Sequence, residues 1–219
     1  MRVVHITDRP LRPDDPDTGR VVALANAAGH LGLEPVLLAL VPEQPEQSGF
    51  MDAVPYDRLP VQGFHRSAAT IRRIMLREDA DLLMAHGTVD LGLAARLAGW
   101  RVPVVFEPHE SLEAWLRRLP PALRCPWGAV VARTPRDARR WRTLMPGYGD
   151  RIFVVPDAQD HHDEDARSWR RVAEGLFEVF DRAASSSVPS SRSHGPFGGS
   201  WKNLRTWFRR GGKASSPTN

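Results

Sequence analysis

The sequence predicts an α/β protein, a single Rossmann-like, doubly wound parallel sheet over residues 1–160. Two observations predict it. Apolar runs alternate with helical patterns along the chain. The runs are apolar throughout rather than at every second position, which implies strands buried on both faces and covered by helices.

The elements follow in order. RVVHITD (2–8) reads as a strand ending in polar residues. RPLRPDDPDTG (9–19) is rich in Pro, Asp and Gly and reads as a loop. RVVALANAA (20–28) places Val21, Leu24 and Ala28 on one helical face. PVLLALV (35–41) is the second strand, and residues 42–65 are Pro-rich and read as irregular. SAATIRRIMLRE (67–78) is amphipathic through Ile71, Ile74 and Met75. ADLLMAHG (80–87) is a strand, and VDLGLAARLAG (89–99) a helix stopping at Gly99. VPVVFE is the next strand, and SLEAWLRRL (111–119) reads as a helix with Ser111 as its cap. WGAVVART (127–134) is a strand, and PRDARRWRTLM (135–145) opens with proline at a first-turn position. RIFVVPDAQD (151–160) holds the last strand. A helix over 161–183 then carries a broad stripe of Trp169, Val172, Ala173, Leu176, Phe177, Val179 and Phe180.

Composition limits the function classes. The chain has 219 residues, 42% hydrophobic and 26% charged, which suits one or two globular domains. One cysteine, Cys125, excludes an internal disulfide and a cysteine zinc site, and a cytoplasmic setting fits. No run approaches the ~18 apolar residues of a membrane-spanning helix. The formal net charge is +4, but six basic residues and no acid follow Ala184, leaving −2 on residues 1–183. An acidic body is a poor nucleic-acid binder, so no nucleic-acid partner is expected. The loop after the first strand lacks G-x-G-x-x-G, which disfavours a dinucleotide enzyme.

In a doubly wound sheet, ligands bind outside the carboxyl ends of the strands. Four segments reach that rim: Asp8 to Arg20, Ala85-His86-Gly87, Glu107-Pro108-His109-Glu110, and Arg133-Thr134. His109 is the strongest candidate, because an imidazole hydrogen-bonds a hydroxyl or phosphate and titrates near neutral pH. Glu107, on the same strand, reads as a structural, loop-organising acceptor. His86-Gly87 reads as cleft lining or as a turn, and Asp8 as cleft lining. Arg133 and Thr134 read as an acceptor-phosphate contact or, for Thr134, as a helix cap. His161-His162-Asp163-Glu164-Asp165 has consecutive rather than helically spaced donors, so no metal site is expected there.

The order of these segments resembles the N-terminal domain of the family 4 glycosyltransferases of the GT-B fold. AHGTVDLGLAARLAGWRVPVVFEPHE resembles the family's H-x-H-G…P-V-V-x-x-x-H-[DEG] pattern. RIFVVPDAQD resembles its K-I-x-V-I-P-N-G-V-D strand and linker, with Pro156-Asp157-Ala158 in place of Pro-Asn-Gly. The resemblance implies catalytic roles for His109 and its neighbour Glu110. It implies substrate contacts for Asp8, Gly19, Arg20, His86, Gly87, Arg133 and Thr134. Gly19 falls in the family's Gly-Gly loop, where the sequence here is Thr18-Gly19-Arg20. No pair of glutamates stands eight residues apart, the signature of the family's donor domain. The 161–183 helix is similar to the terminal helix that crosses back over the first domain. The resemblance therefore implies the acceptor-side half of a retaining transferase. It would move a sugar from a nucleotide sugar, as substrate and not cofactor, to a glycan or lipid-linked acceptor. It would need a separate donor-domain subunit. The alternative is a non-catalytic, degenerate transferase acting as a scaffold in glycan synthesis.

Residues 184–200 are low-complexity and read as a disordered linker. Residues 201–219 form a basic tail. Within it Trp201, Leu204, Trp207 and Phe208 share one helical face, with Lys202, Arg205, Arg209 and Arg210 outside it. That pattern suits an anionic membrane surface, contacted through residues 201–213. A peripheral location on the inner face of the membrane is the expectation that goes with it.

Overall fold

The computed structural model describes residues 1–12, 14–99, 102–109, 127–156 and 166–187. Eight strands form one sheet in the order β3-β4-β2-β1-β5-β6-β7-β8. They are β1 (Arg2–Thr7), β2 (Glu34–Leu40), β3 (Gln47–Met51), β4 (Val54–Leu59), β5 (Leu82–Gly87), β6 (Val104–Pro108), β7 (Ala129–Ala132) and β8 (Ile152–Val154). Every pairing is parallel except β3 with β4. The helices are α1 (Pro16–His30), α2 (Phe64–Arg77), α3 (Val89–Ala98), α4 (Pro135–Leu144) and α5 (Ala166–Ser187). The α/β class and the parallel sheet are those the sequence predicts.

Strand alternation divides the side chains between two faces. Val4, Ile6, Leu83, Ala85, Val104 and Phe106 pack with residues of α2, α3 and α4 in one core. Leu37 and Ala39 pack with Val21, Val22 and Ala25 of α1 on the other face. His5, His86 and Glu107 alternate with the first set and so face α1. Helix α5 packs on α1, β6, β7 and β8, burying Val172, Ala173, Leu176, Val179, Phe180 and Ala183. The amphipathic terminal helix therefore lies on the sheet, as expected, and runs past Ala183 to Ser187.

Two elements differ from the sequence reading. The stretch 42–65 holds a hairpin, β3–β4, and not an irregular segment. Asp52 and Ala53 both have positive φ, +46° and +69°, which is the backbone of a two-residue hairpin turn. Neither residue carries the Asn-Gly or Asp-Gly signal that announces such a turn. Helix α1 starts at Pro16, inside the segment read as a loop. The Asp15 carboxylate accepts from the Thr18 amide at 3.0 Å, and Pro16 takes the first-turn place where no N–H is needed. Gly19 is consequently a helix residue and not part of a phosphate-approaching loop.

The chain winds outward from β1 through β2 and β4, then returns to set β5 on the other side of β1. That reversal opens a crevice at the carboxyl ends of β1 and β5. The expected helix at 111–119, Cys125, the run at 161–165, and the linker and tail from 188 onward lie outside the described residues. Among the described residues, no helix is long and apolar enough to cross a membrane.

The contact of α3 with β6 gives a sharp test of the packing. A Cβ on Gly92 would lie 2.7 Å from the Phe106 ring, which is itself 4.5 Å, centroid to centroid, from Trp127. The Trp127 indole N–H donates to the Gly92 carbonyl at 2.8 Å. Gly to Ala in a helix normally gains about 1 kcal/mol, whereas overfilling a packed core costs about 1–3 kcal/mol. Gly92→Ala is expected to lower stability by about 1–2 kcal/mol in denaturant unfolding, reversing the sign of the helix-propensity effect.

Candidate functional site

The register of β5 and β6 builds the site. His86 stands opposite Glu107, and Gly87 opposite Pro108. Thr7 of β1 stands opposite His86 on its other side. The His109 amide donates to the Gly87 carbonyl at 2.9 Å, carrying the pairing one step past the strand. Polar side chains from three adjacent strands therefore meet at the switch point.

Glu107 is the centre. Its side chain is 0% exposed, and its two oxygens face different partners. Oε1 accepts from Arg20 Nε of α1 at 2.5 Å. Oε2 accepts from His86 Nδ1 at 2.7 Å. With that proton on Nδ1, His86 Nε2 accepts from His5 Nδ1 at 3.1 Å. Arg20 also donates to the carbonyls of Val155, at 2.7 Å, and Pro156, at 3.1 Å. The guanidinium thus joins α1, the end of β6 and the chain leaving β8.

The electrostatics follow from this burial. Desolvation alone would push the Glu107 carboxyl up. The imidazoles of His109 and His86 and the Arg20 guanidinium override it and hold the carboxyl well below the usual carboxylate range. Desolvation, with His86 alongside, pushes His5 well below the ordinary histidine value. His86 is lowered chiefly by desolvation, against the pull of Glu107. Both histidines are therefore neutral near pH 7.

Above this buried layer lie His109, Asp17 and Arg133. Arg133 Nη2 donates to Asp17 Oδ1 at 2.6 Å, and both side chains are partly exposed. Burial raises the Asp17 carboxyl; Arg133 and His109 more than reverse this, leaving it lowered. His109 Nε2 stands 3.7 Å from Glu107 Oε2, and Nδ1 3.6 Å from Asp17 Oδ2. Both distances exceed hydrogen-bond reach. The His109 ring is 0% exposed, and neither of its nitrogens has a hydrogen-bond partner.

The rim residues named from sequence separate into three groups. His109, His86, Arg20 and Arg133 come together around Glu107. Asp8 and Gly87 form a corner beside them. Asp8 Oδ2 accepts from the Thr88 amide at 3.1 Å and from the Thr88 hydroxyl. A Cβ on Gly87 (φ +146°) would strike Asp8 Oδ1 at 2.1 Å, so only glycine fits. Thr134 and Gly19 stand apart. The Thr134 hydroxyl caps α4 by accepting from the Asp137 amide at 3.1 Å. Glu110 and the tail residues Trp201, Lys202, Leu204, Arg205, Trp207, Phe208, Arg209 and Arg210 lie outside the described residues. Sequence reading gave Glu107 a minor structural part and gave His5 none. The signal for Glu107 was a carboxylate ending an otherwise apolar buried strand, which demands a cation from elsewhere in the chain.

Comparison with known proteins places this architecture. The glycosyl transferase 4-like domain family matches residues 18–158. No curated protein matches the sequence. Among solved structures, a sucrose-phosphate synthase from Thermosynechococcus elongatus superposes with a TM-score of 0.54 at 11% identity, covering 83% of this chain and 98% of that one. The UDP-GlcNAc 2-epimerase of Methanocaldococcus jannaschii gives 0.51 at 13% identity, covering 72% and 46%. A glycosyltransferase from Rickettsia africae gives 0.50 at 13% identity, covering 81% and 49%. These likenesses show the fold. The chain spans about half the length of the epimerase and the Rickettsia enzyme.

The neutral buried histidines generate a pH prediction. A histidine lowered in the folded state binds its proton more readily when unfolded. Stability is therefore full above the unfolded value, about 6.5, and is lost as pH falls through it. The melting temperature is expected to drop between pH 7.5 and 5.5, and His5→Gln to flatten that slope. An equal slope in the variant would rule out His5 as a group responsible for it.

Proposed function

The chain belongs to the glycosyl transferase 4-like family, and on that premise we propose that it forms the acceptor-side half of a retaining sugar transferase. The donor is a nucleotide sugar and the acceptor a glycan or a lipid-linked glycan. One observation carries this reading. A histidine with two unpartnered ring nitrogens stands at the carboxyl end of a central strand, on a switch-point rim, held over a buried carboxylate.

The residues divide the work. Glu107, fixed by Arg20 and His86, holds the floor in one charge state. His109 orients the reacting hydroxyl or a phosphate oxygen from above that floor. The Asp17–Arg133 pair is the part of the cluster that meets solvent. It receives the ligand's polar groups by exchanging its own ion pair for contacts to them. Gly87 and Asp8 shape the adjoining wall. Electrostatic stabilisation of the departing diphosphate dominates the lowering of the barrier in such a transfer, and it comes from a donor domain on the other side of the cleft. The Arg20 contacts to the Val155 and Pro156 carbonyls fix the direction in which the chain leaves this half. A basic, aromatic segment at 201–213 would bring lipid-linked acceptors and the site to the same anionic surface.

The test is ligand-induced stabilisation. At 100 times its dissociation constant, a nucleotide sugar or an acceptor glycan raises stability by about 2.7 kcal/mol. A panel of both classes on the purified chain is expected to give a melting shift with an acceptor-type ligand. His109→Ala and Arg133→Ala should each abolish the shift while retaining a cooperative melt. A shift that survives both variants would place the ligand elsewhere and reject this site.

A further inference from the structure

The floor of the site contains more donor atoms than an acceptor-binding half needs. We propose that His86, Glu107 and His109 form a three-ligand site for a divalent transition-metal ion of the zinc type, with one coordination position left open. This inference rests on donor geometry and stands whether or not the transferase reading holds. It departs from the sequence expectation that the chain carries no metal site.

Three observations support it. One donor atom from each of the three residues lies within 4.8 Å of the other two. Two imidazoles and a carboxylate make up a common catalytic set for zinc, closed by water or substrate in the fourth position. The two separations from the carboxylate lie close to those of a shared ion. Donors bound at about 2.0–2.2 Å to one ion sit roughly 3–3.6 Å apart. Here His86 Nδ1 is 2.7 Å and His109 Nε2 3.7 Å from the same oxygen, Glu107 Oε2. Shifts of a few tenths of an ångström about that oxygen would bring these two separations into that range, and the two imidazole donors, within 4.8 Å of each other, would close on the ion by turning their rings. Finally, the His109 side chain is buried with neither nitrogen bonded, although its Nε2 stands 3.7 Å from that oxygen. An imidazole in that state lacks a partner, and a cation between it and the carboxylate supplies one.

The surroundings have the form of an outer shell that orients metal ligands. His5 Nδ1 meets His86 Nε2 at 3.1 Å, so moving the His86 proton to Nε2 frees Nδ1 for an ion, and the contact is kept with its direction reversed when neutral His5 carries its own proton on Nε2. Asp17 Oδ2 lies 3.6 Å from His109 Nδ1, outside hydrogen-bond reach, and a closure of about half an ångström would make the carboxylate–histidine contact that sets a ligand ring's tautomer. Arg20 holds Oε1, the oxygen not used for the ion. The charges of Glu107, Asp17, Arg20 and Arg133 cancel, so a divalent ion would leave a local excess of +2. The open position would therefore favour an anionic oxygen, such as hydroxide or a phosphate.

Cobalt(II) and zinc on the chelator-stripped full-length chain test this without any nucleotide. One cobalt per chain is expected, with a visible d–d band that zinc displaces. His109→Ala should weaken binding on the order of 100-fold, and Asp17→Asn about 10-fold, each variant retaining a cooperative melt. Absence of the band, or unchanged affinity in His109→Ala, would overturn the site. So would binding lost on replacing His161 and His162 instead.

Discussion

A carboxylate buried at the end of a central parallel strand has to be answered by a cation, and the fold of this protein is arranged so that one reaches it. Glu107 lies where water cannot solvate it. Arg20 comes from the first helix, on the face of the sheet to which strand alternation turns Glu107. The same guanidinium takes the Val155 and Pro156 carbonyls. One side chain thereby ties the first helix, the central strand and the exit from the last strand. The histidines complete the arrangement: with Oε1 committed to Arg20, Oε2 is left to His86 and His109.

This constraint explains features that otherwise look unrelated. Helix α1 must begin early enough to bring Arg20 over β6, and the Asp15 cap and Pro16 start it there. Gly87 must lack a side chain, because the Asp8 carboxylate occupies that space and braces the start of α3 through Thr88. Helix α5 closes the same face over β6, β7 and β8 and keeps water from it. The layer is dry and rigid below, while Asp17 and Arg133 remain partly open above. Rigid support beneath an accessible ion pair suits a ligand site.

The sheet was legible in the sequence because its strands are short, continuous apolar runs between helical patterns. VPVVFE and ADLLMAHG sit where the strands do, each strand starting two residues later than the run. The hairpin at 47–59 was not legible, since its turn is made by Asp52 and Ala53 without a glycine. The start of α1 was hidden by the density of Pro and Asp in 9–19, where two of those residues are a cap and a first-turn proline. Within the site, His109, His86, Arg20 and Arg133 were visible through their place on the rim. Glu107 and His5 were not, because their meaning depends on partners 87 and 81 residues distant in the chain. Only register and helix placement bring those partners together.

The most direct measurement of the central claim is a double-mutant cycle on the buried pair, with Arg20→Met, Glu107→Leu and the combination compared in equilibrium unfolding. Removing either partner alone leaves an uncompensated buried charge and should cost about 3–5 kcal/mol. Removing both replaces the pair with apolar groups, so the double variant should be more stable than either single one. Additive losses would show that Arg20 and Glu107 act independently, and that the site does not hang on their pairing.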